Sequence, residues 1–158
     1  IILKKNDLEA KRKFSGFSIK QEGNKLILYD KKATRREKNL IMTTLAHIKN
    51  MIKGLQEKFE YKLEICSIHF PMSVNYDENK KEISIKNFLG ETKPRMAKIP
   101  ENVAIKINGN IITVSSHDKE AAGLASAIIE RISKTKGKDR RIFQDGIYLT
   151  EKAGRKIG

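Results

Sequence analysis

The sequence predicts an α+β fold: two similar small domains, each an antiparallel β-sheet covered by one main α-helix, joined by a helix-to-strand seam. Three observations carry this. Between Ile41 and Ile65 the apolar period changes. Ile41, Leu45, Ile48, Ile52 and Leu55 recur at threes and fours, one stripe of a helix, whereas Phe59, Tyr61, Leu63 and Ile65 alternate with Glu60, Lys62 and Glu64 as in a half-buried strand. A hairpin, a polar linker and a helix also occur twice in that order, over Ile19–Met51 and Ile105–Ile132. Finally, 158 residues with 39% hydrophobic and 6% aromatic content and no Trp are lean for one large core. Two modest cores, each of one helix on one sheet, suit them better. The expected divisions are a first domain at 1–55, a second at 56–133, and a basic C-terminal extension at 134–158.

Ile1–Lys4 reads as the end of a strand whose earlier part is absent, with a turn at Lys5-Asn6-Asp7 and a return from Leu8 to Phe14. Phe17–Ile19, a turn at Glu22-Gly23-Asn24 and Leu26–Tyr29 make a hairpin. A basic loop at Lys31-Lys32 leads to Thr34, whose distance from Glu37 is that of a capping box. The first helix follows, with Gly54 as a left-handed cap near its end; domain geometry is expected to depend on residues 53–59, with Gly54 the hinge position. The seam strand begins at Phe59, and its alternation slips at Cys66-Ser67, where a β-bulge or sharp twist is expected before Ile68 and Phe70. Val74 and Tyr76, a loop at Asp77–Lys80, and Ile83 and Ile85 make a further hairpin, and Gly90–Lys98 reads as a loop. Val103–Ile107 and Ile111–Val114 flank Asn108-Gly109, the strongest short hairpin signal, because both residues tolerate positive φ. Asp118 caps a second helix with Ala121, Leu124, Ala125, Ile128, Ile129 and Ile132 on one face. The last residues have weak periodicity, but Ile142, Phe143, Ile147, Tyr148 and Leu149 around an Asp145-Gly146 turn are anchors that dock them.

The two hairpin–helix segments align with Gly23 and Gly109 86 apart and with Leu40/Leu124, Leu45/Ile129 and Ile48/Ile132 84 apart. A duplication and two unrelated units of one kind both account for this.

Charge is the strongest functional signal. Thirty-three Lys and Arg stand against 19 Asp and Glu, a formal +14, and such an excess calls for a polyanion. Lipid is the weakest candidate, because no stretch approaches the ~18 apolar residues of a span and neither helix is a basic surface segment with bulky aromatics. One cysteine forms no internal disulfide, so a reducing cytoplasm is expected.

Catalytic and metal-binding patterns are sparse. Cys66 and His69 are three apart on a strand, which sends their side chains to opposite faces. One Cys with His47, His69 and His117 lacks the paired spacing of a zinc site. No phosphate-cradling loop, nucleophile elbow or dinucleotide fingerprint is present. The reading is therefore of a protein that is no enzyme and has no cofactor, metal or small-molecule substrate.

Cations, in contrast, cluster. Seven Lys or Arg lie between Lys31 and Lys53 against Glu37 alone, and Lys134, Lys136, Lys138, Arg140 and Arg141 fall within eight residues opposed only by Asp139. Such residues neutralise phosphates, and Arg140 and Arg141 add forked donors. Few aromatics are available for stacking, which points to folded RNA read by shape and backbone.

HIKNMIKG at His47–Gly54, FEYKLEICSIHFPMSV at Phe59–Val74, NFLGETKPRM at Asn87–Met96 and KGKDRRIFQDGIYLTEK at Lys136–Lys152 resemble the archaeal and eukaryotic branch of the large ribosomal subunit protein L-six family (L-nine in eukaryotes). The resemblance covers essentially the whole chain and is strongest in its second half. It implies two domains of one sheet-plus-helix fold related by duplication, with the first strands of domain one missing before Ile1. It also implies a structural constituent of the ribosome in the cytoplasm, beside neighbouring ribosomal proteins. Its ligand is then large-subunit ribosomal RNA near the sarcin–ricin loop, where translation factors dock. Carried onto this chain, RNA contacts fall to Lys134, Lys136, Lys138, Arg140 and Arg141, with Lys93, Arg95 and Lys98 second. The runner-up is an RNA-processing enzyme or accessory RNA-binding subunit, which needs His47 or His69 brought beside an acid. A third reading is a partner for acidic proteins.

Overall fold

A computed structural model describes residues 1–5, 8–23, 25–31 and 34–157. The turns expected at Asn6-Asp7 and Asn24, and the loop residue Lys32, lie outside them. The chain divides into two compact units, Ile1–Gln56 and Glu57–Gly158.

The first unit holds β1 (Ile2–Lys5) paired with β2 (Leu8–Lys11), β3 (Ser18–Glu22) paired with β4 (Lys25–Tyr29), and α1 (Arg35–Gln56), which packs on β1 and β2. Both pairs are antiparallel. Between them Gly16 sits at φ +90°, a backbone conformation that favours glycine, while the 2.9 Å approach of a Cβ to Leu40 Cδ2 could be relieved by a shift of that exposed side chain. Gly54 ends nothing: it is a buried residue inside α1. The buried stripe of α1 also differs from the expected one. Thr44, Ile48 and Leu55 are buried, whereas Leu45 and Ile52 are exposed. Thr44 lies inward because its hydroxyl donates to Leu40 O (2.8 Å), satisfying the polar atom within the helix.

The second unit begins at β5 (Phe59–Cys66), whose Tyr61, Leu63 and Ile65 are buried in the alternation read from the sequence. It continues with β6 (Ser73–Asp77), β7 (Glu82–Lys86), a 3₁₀ turn at Phe88–Gly90, β8 (Arg95–Lys98), β9 (Ala104–Asn108), β10 (Ile111–Ser116), α2 (Lys119–Ile132), β11 (Gly146–Lys152) and β12 (Arg155–Lys156). Two antiparallel sheets result, a five-stranded one in the order β12-β11-β5-β10-β9 and a three-stranded one in the order β6-β7-β8. α2 covers the first and also touches β8. Asp118 caps it by accepting from Glu120 N (2.9 Å). The β9–β10 loop is Gly109-Asn110, with Gly109 at φ +57° and Asn108 already paired with Ile111.

Four expectations change here. The segment 90–98 is not all loop, because Arg95–Lys98 pairs with β7. No bulge follows Cys66, where β5 ends; the register shift lies on the partner strand between Leu149 and Glu151. Residues 134–158, expected as an extension that docks, include a strand of the main sheet, β11, which pairs along most of β5. And the cores are unequal. The hydrophobic cluster of Tyr61, Leu63, Ile83, Ile85, Phe88, Ile112, Val114, Ile129, Ile147 and their neighbours lies wholly in the second unit. Among the described residues of the first, only Ile48 and Leu55 are buried apolar side chains.

On α2 the buried residues are Ala122, Ala125, Ser126 and Ile129, while Leu124 is 55% exposed. Small residues let the helix lie close to the sheet. The order β1-β2, β3-β4, α1 is repeated as β7-β8, β9-β10, α2. The offset of 84 taken from the apolar pattern does not align the buried positions, since it sets buried Thr44 and Ile48 against half-buried Ile128 and Ile132.

Candidate nucleic-acid interface

The expected cationic residues fall mostly on one segment, the connection from α2 to β11. Lys134, Lys136, Lys138, Arg140 and Arg141 are all exposed along it. Its backbone, however, is pinned at both ends, by Arg95 at the start of β8 and by Asp145 just before β11.

Arg95 makes the first pin. Its Nη1 donates to Ile132 O (2.8 Å) and Lys134 O (3.0 Å), while Nε and Nη2 donate to the two carboxylate oxygens of Glu91 (2.8 and 2.6 Å). The guanidinium lies 4.1 Å from the Phe88 ring centre. A planar fork that grips a carboxylate, two carbonyls and a ring face has little left for phosphate. Arg95 is thus part of the scaffold, not of the exposed charge. Its hydrogen bonds hold the Glu91 carboxyl below the ordinary range against partial desolvation, and Lys138 and Lys136 add to the same field. Those two lysines therefore stand around the Glu91–Arg95 pair.

Asp145 makes the second. It is buried, with Oδ1 accepting from Ile68 N (2.8 Å) and His69 N (2.9 Å) and Oδ2 facing His69 Nδ1 at 2.5 Å. Burial opposes its charge, but the bonds from His69 and Ile68 outweigh that and hold the carboxyl below its usual value. An ionised carboxylate only accepts, so Nδ1 carries the proton. Phe143 stacks on the His69 ring (centroids 5.0 Å, 29°), and Lys138 Nζ lies 4.5 Å from the Phe143 ring centre. Between the pins, Asp139 accepts from Arg141 N through Oδ1 and from Phe143 N through its carbonyl (both 2.9 Å). Ser133 Oγ accepts from Ile147 N (3.0 Å), tying α2 to β11.

Asp145-Gly146 is accordingly no turn. Gly146 opens β11 with the Tyr148 ring pressed on it; a Cβ would meet that ring at 3.1 Å. Ile142, expected as an anchor, is 63% exposed, while Ile147 is buried.

Lys134 and Arg140 share a cleft of about 360 Å³ with Arg131, beside Glu130 and Tyr148. Arg131 has no place in the sequence-based set because it falls in the last turn of α2, apart from the tail run; its position on the exposed face three residues before Lys134 was the available signal. Lys93 is exposed in the loop before β8. Lys98 is exposed at the other end of β8, opposite Glu82.

Elsewhere the chemistry is muted. Burial pushes the Cys66 thiol up, with Glu64 and Asp145 adding to it, which makes a poor nucleophile. Among the described residues no three His, Cys, Asp or Glu side chains gather as metal ligands, and no helix is long and apolar enough to cross a membrane.

Fold and charge together define a class, the compact basic α+β proteins whose cations stand on a rigidly held loop. The comparisons narrow it. Residues 70–146 match the family model described as Ribosomal protein L6. Over 148 residues the chain is 45% identical to the large ribosomal subunit protein uL6 of Methanococcus vannielii, covering 94% of this chain and 80% of that one. Over 159 residues it is 45% identical to the uL6 protein of Nanoarchaeum equitans (94% and 82%), and over 137 residues 43% identical to that of Desulfurococcus amylolyticus (87% and 74%). The chain belongs to the uL6 family of large ribosomal subunit proteins. That family is structural and non-enzymatic. The fold does bring His69 beside an acid, Asp145, the condition set for a catalytic histidine, but the family to which the chain belongs is non-enzymatic.

Proposed function

We propose that the protein is a structural constituent of the large ribosomal subunit, in the cytoplasm, that binds large-subunit ribosomal RNA by its phosphate backbone and shape in the region of the sarcin–ricin loop and factor-binding site. Five exposed cations on one segment bonded at both ends support this reading. Lys134, Lys136, Lys138, Arg140 and Arg141 are its principal phosphate ligands, with Arg131 joining Lys134 and Arg140 at their cleft. Lys93 and Lys98 are peripheral, and Arg95 acts by holding the segment. Neighbouring ribosomal proteins are the other partners.

Pairing a cation with a phosphate releases counterions, so affinity falls with salt in proportion to the number of phosphates engaged. Neutralising Lys136, Lys138, Arg140 and Arg141 to Gln together weakens binding to a large-subunit rRNA transcript. It also flattens the slope of log K against log salt by about 0.7–0.9 for each phosphate no longer engaged. Titrations at several salt concentrations measure this, and an unchanged slope removes the segment from the interface. Co-sedimentation of the protein with large subunits at one copy each tests the assembly itself.

A further inference from the structure

The segment's charge needs no fixed shape to attract RNA, yet the structure spends a buried carboxylate and an aromatic stack on fixing it. Asp145 is buried and takes three hydrogen bonds from two successive residues, Ile68 N, His69 N and His69 Nδ1. The bonded imidazole is thereby set in one orientation. Phe143 lies on it, and the Lys138 ammonium lies on Phe143. The order Asp145, His69, Phe143, Lys138 is a column running from the buried end of β11 to an exposed cation.

We propose that His69 is a positioning residue for RNA binding: oriented by Asp145, its ring is the platform that holds Phe143, and through it Lys138 and the 138–144 turn, in the RNA-bound conformation before RNA arrives. The inference rests on the RNA-binding reading above. Its physical content is preorganisation. A segment already ordered loses little conformational entropy on binding, whereas a loosened one loses that entropy then. The number of phosphates engaged is the same in both cases. Loss of the platform therefore weakens binding without changing how binding responds to salt, which separates positioning from charge.

The experiment compares wild type with His69→Ala, His69→Phe and Phe143→Ala, the second keeping most apolar contact should the first disturb the fold. Amide exchange in the free protein reports the turn: Ile142 and Phe143 N–H both donate to Asp139 O. These amides are expected to exchange on the order of tenfold faster in His69→Ala and Phe143→Ala, with β5 and β10 unaltered. His69→Phe keeps the ring but not the bond to Asp145, and falls between. RNA affinity of His69→Ala is expected to drop roughly tenfold, the cost of ordering one or two side chains on binding, at an unchanged salt slope. Combined with Phe143→Ala it loses little more, because both remove one column. Unchanged exchange overturns the positioning role. Faster exchange at undiminished affinity overturns its link to binding while leaving the proposed function intact. A shallower slope means that a phosphate contact is lost together with the platform rather than merely ordered later, and also overturns the inference. Absence of RNA binding by wild type defeats the proposed function alone, and the exchange data then still decide whether His69 holds the turn.

Discussion

At the scale of single residues, two side chains that look ionic from the sequence are structural. Asp145 satisfies two backbone amides that are otherwise left without acceptors. Asp145→Ala strands them, at about 1–3 kcal/mol for each partner left unsatisfied. Its carboxyl is held below the ordinary aspartate value, so its contribution is fully present above the unfolded pKa of about 3.9. It fades as pH falls through the lower folded value. Denaturant midpoints of wild type and Asp145→Asn are therefore expected to differ widely at pH 7 and to converge under strong acid. Arg95 answers a different question. Arg95→Lys keeps the charge but loses the fork on Glu91 and the bonds to Ile132 O and Lys134 O. It is expected to cost about 1–3 kcal/mol in stability while leaving the salt slope of RNA binding unaltered. A slope that falls by a full phosphate's worth returns Arg95 to the interface. Asp-Gly before an apolar run reads as a turn because that pair favours positive φ. Here glycine is present for the Tyr148 ring and aspartate for the amides of Ile68 and His69 beyond the end of β5, two requirements that local sequence cannot display.

Among the elements, legibility followed how unambiguous the apolar pattern was. Tyr61, Leu63 and Ile65 have charged or polar neighbours on both sides, leaving one choice of inner face, and β5 takes it. The helices offered rival faces. In α2, Leu124-Ala125 and Ile128-Ile129 are adjacent apolar pairs, so the expected face was wide enough to hold two rows. Packing selects the row Ala122, Ala125, Ser126 and Ile129, because small side chains let the helix approach the strands. Leu124→Ala is accordingly expected to change unfolding free energy by no more than about 0.5 kcal/mol. Ile129→Ala is expected to cost about 2–5 kcal/mol. Equal effects on urea midpoints contradict the assigned face. β11 was the hardest element to see. Its Ile147-Tyr148-Leu149 run is short, and the register shift before Glu151 breaks the alternation that marks a strand.

For the whole molecule, a formal +14 with little catalytic chemistry made the class of ligand legible from composition. The family followed from four phrases of sequence. What composition did not convey is that charge and scaffold are interleaved: the five exposed cations occupy the connection between α2 and β11, and its two pins, Arg95 and His69 with Asp145, are not the residues that carry the net charge outward. Nor did it convey the inequality of the units. The second holds the continuous core, while the first leaves Ile19, Leu26, Ile27 and Tyr29 exposed on β3 and β4.

The placement of β11 has a consequence for how the chain comes into being. β5 opens the second unit and β11 nearly closes it, yet the two are neighbours in the five-stranded sheet. Synthesis runs from the N-terminus, and a strand pair this far apart in sequence waits for its later member. The nascent chain thus exposes one side of β5 until residues 146–152 have been made. Because Asp145 and Phe143 find their partners at the end of β5, the cationic segment acquires its shape only in that same closing event. A polypeptide ended before Asp145 carries much of the charge but lacks the second of the two pins.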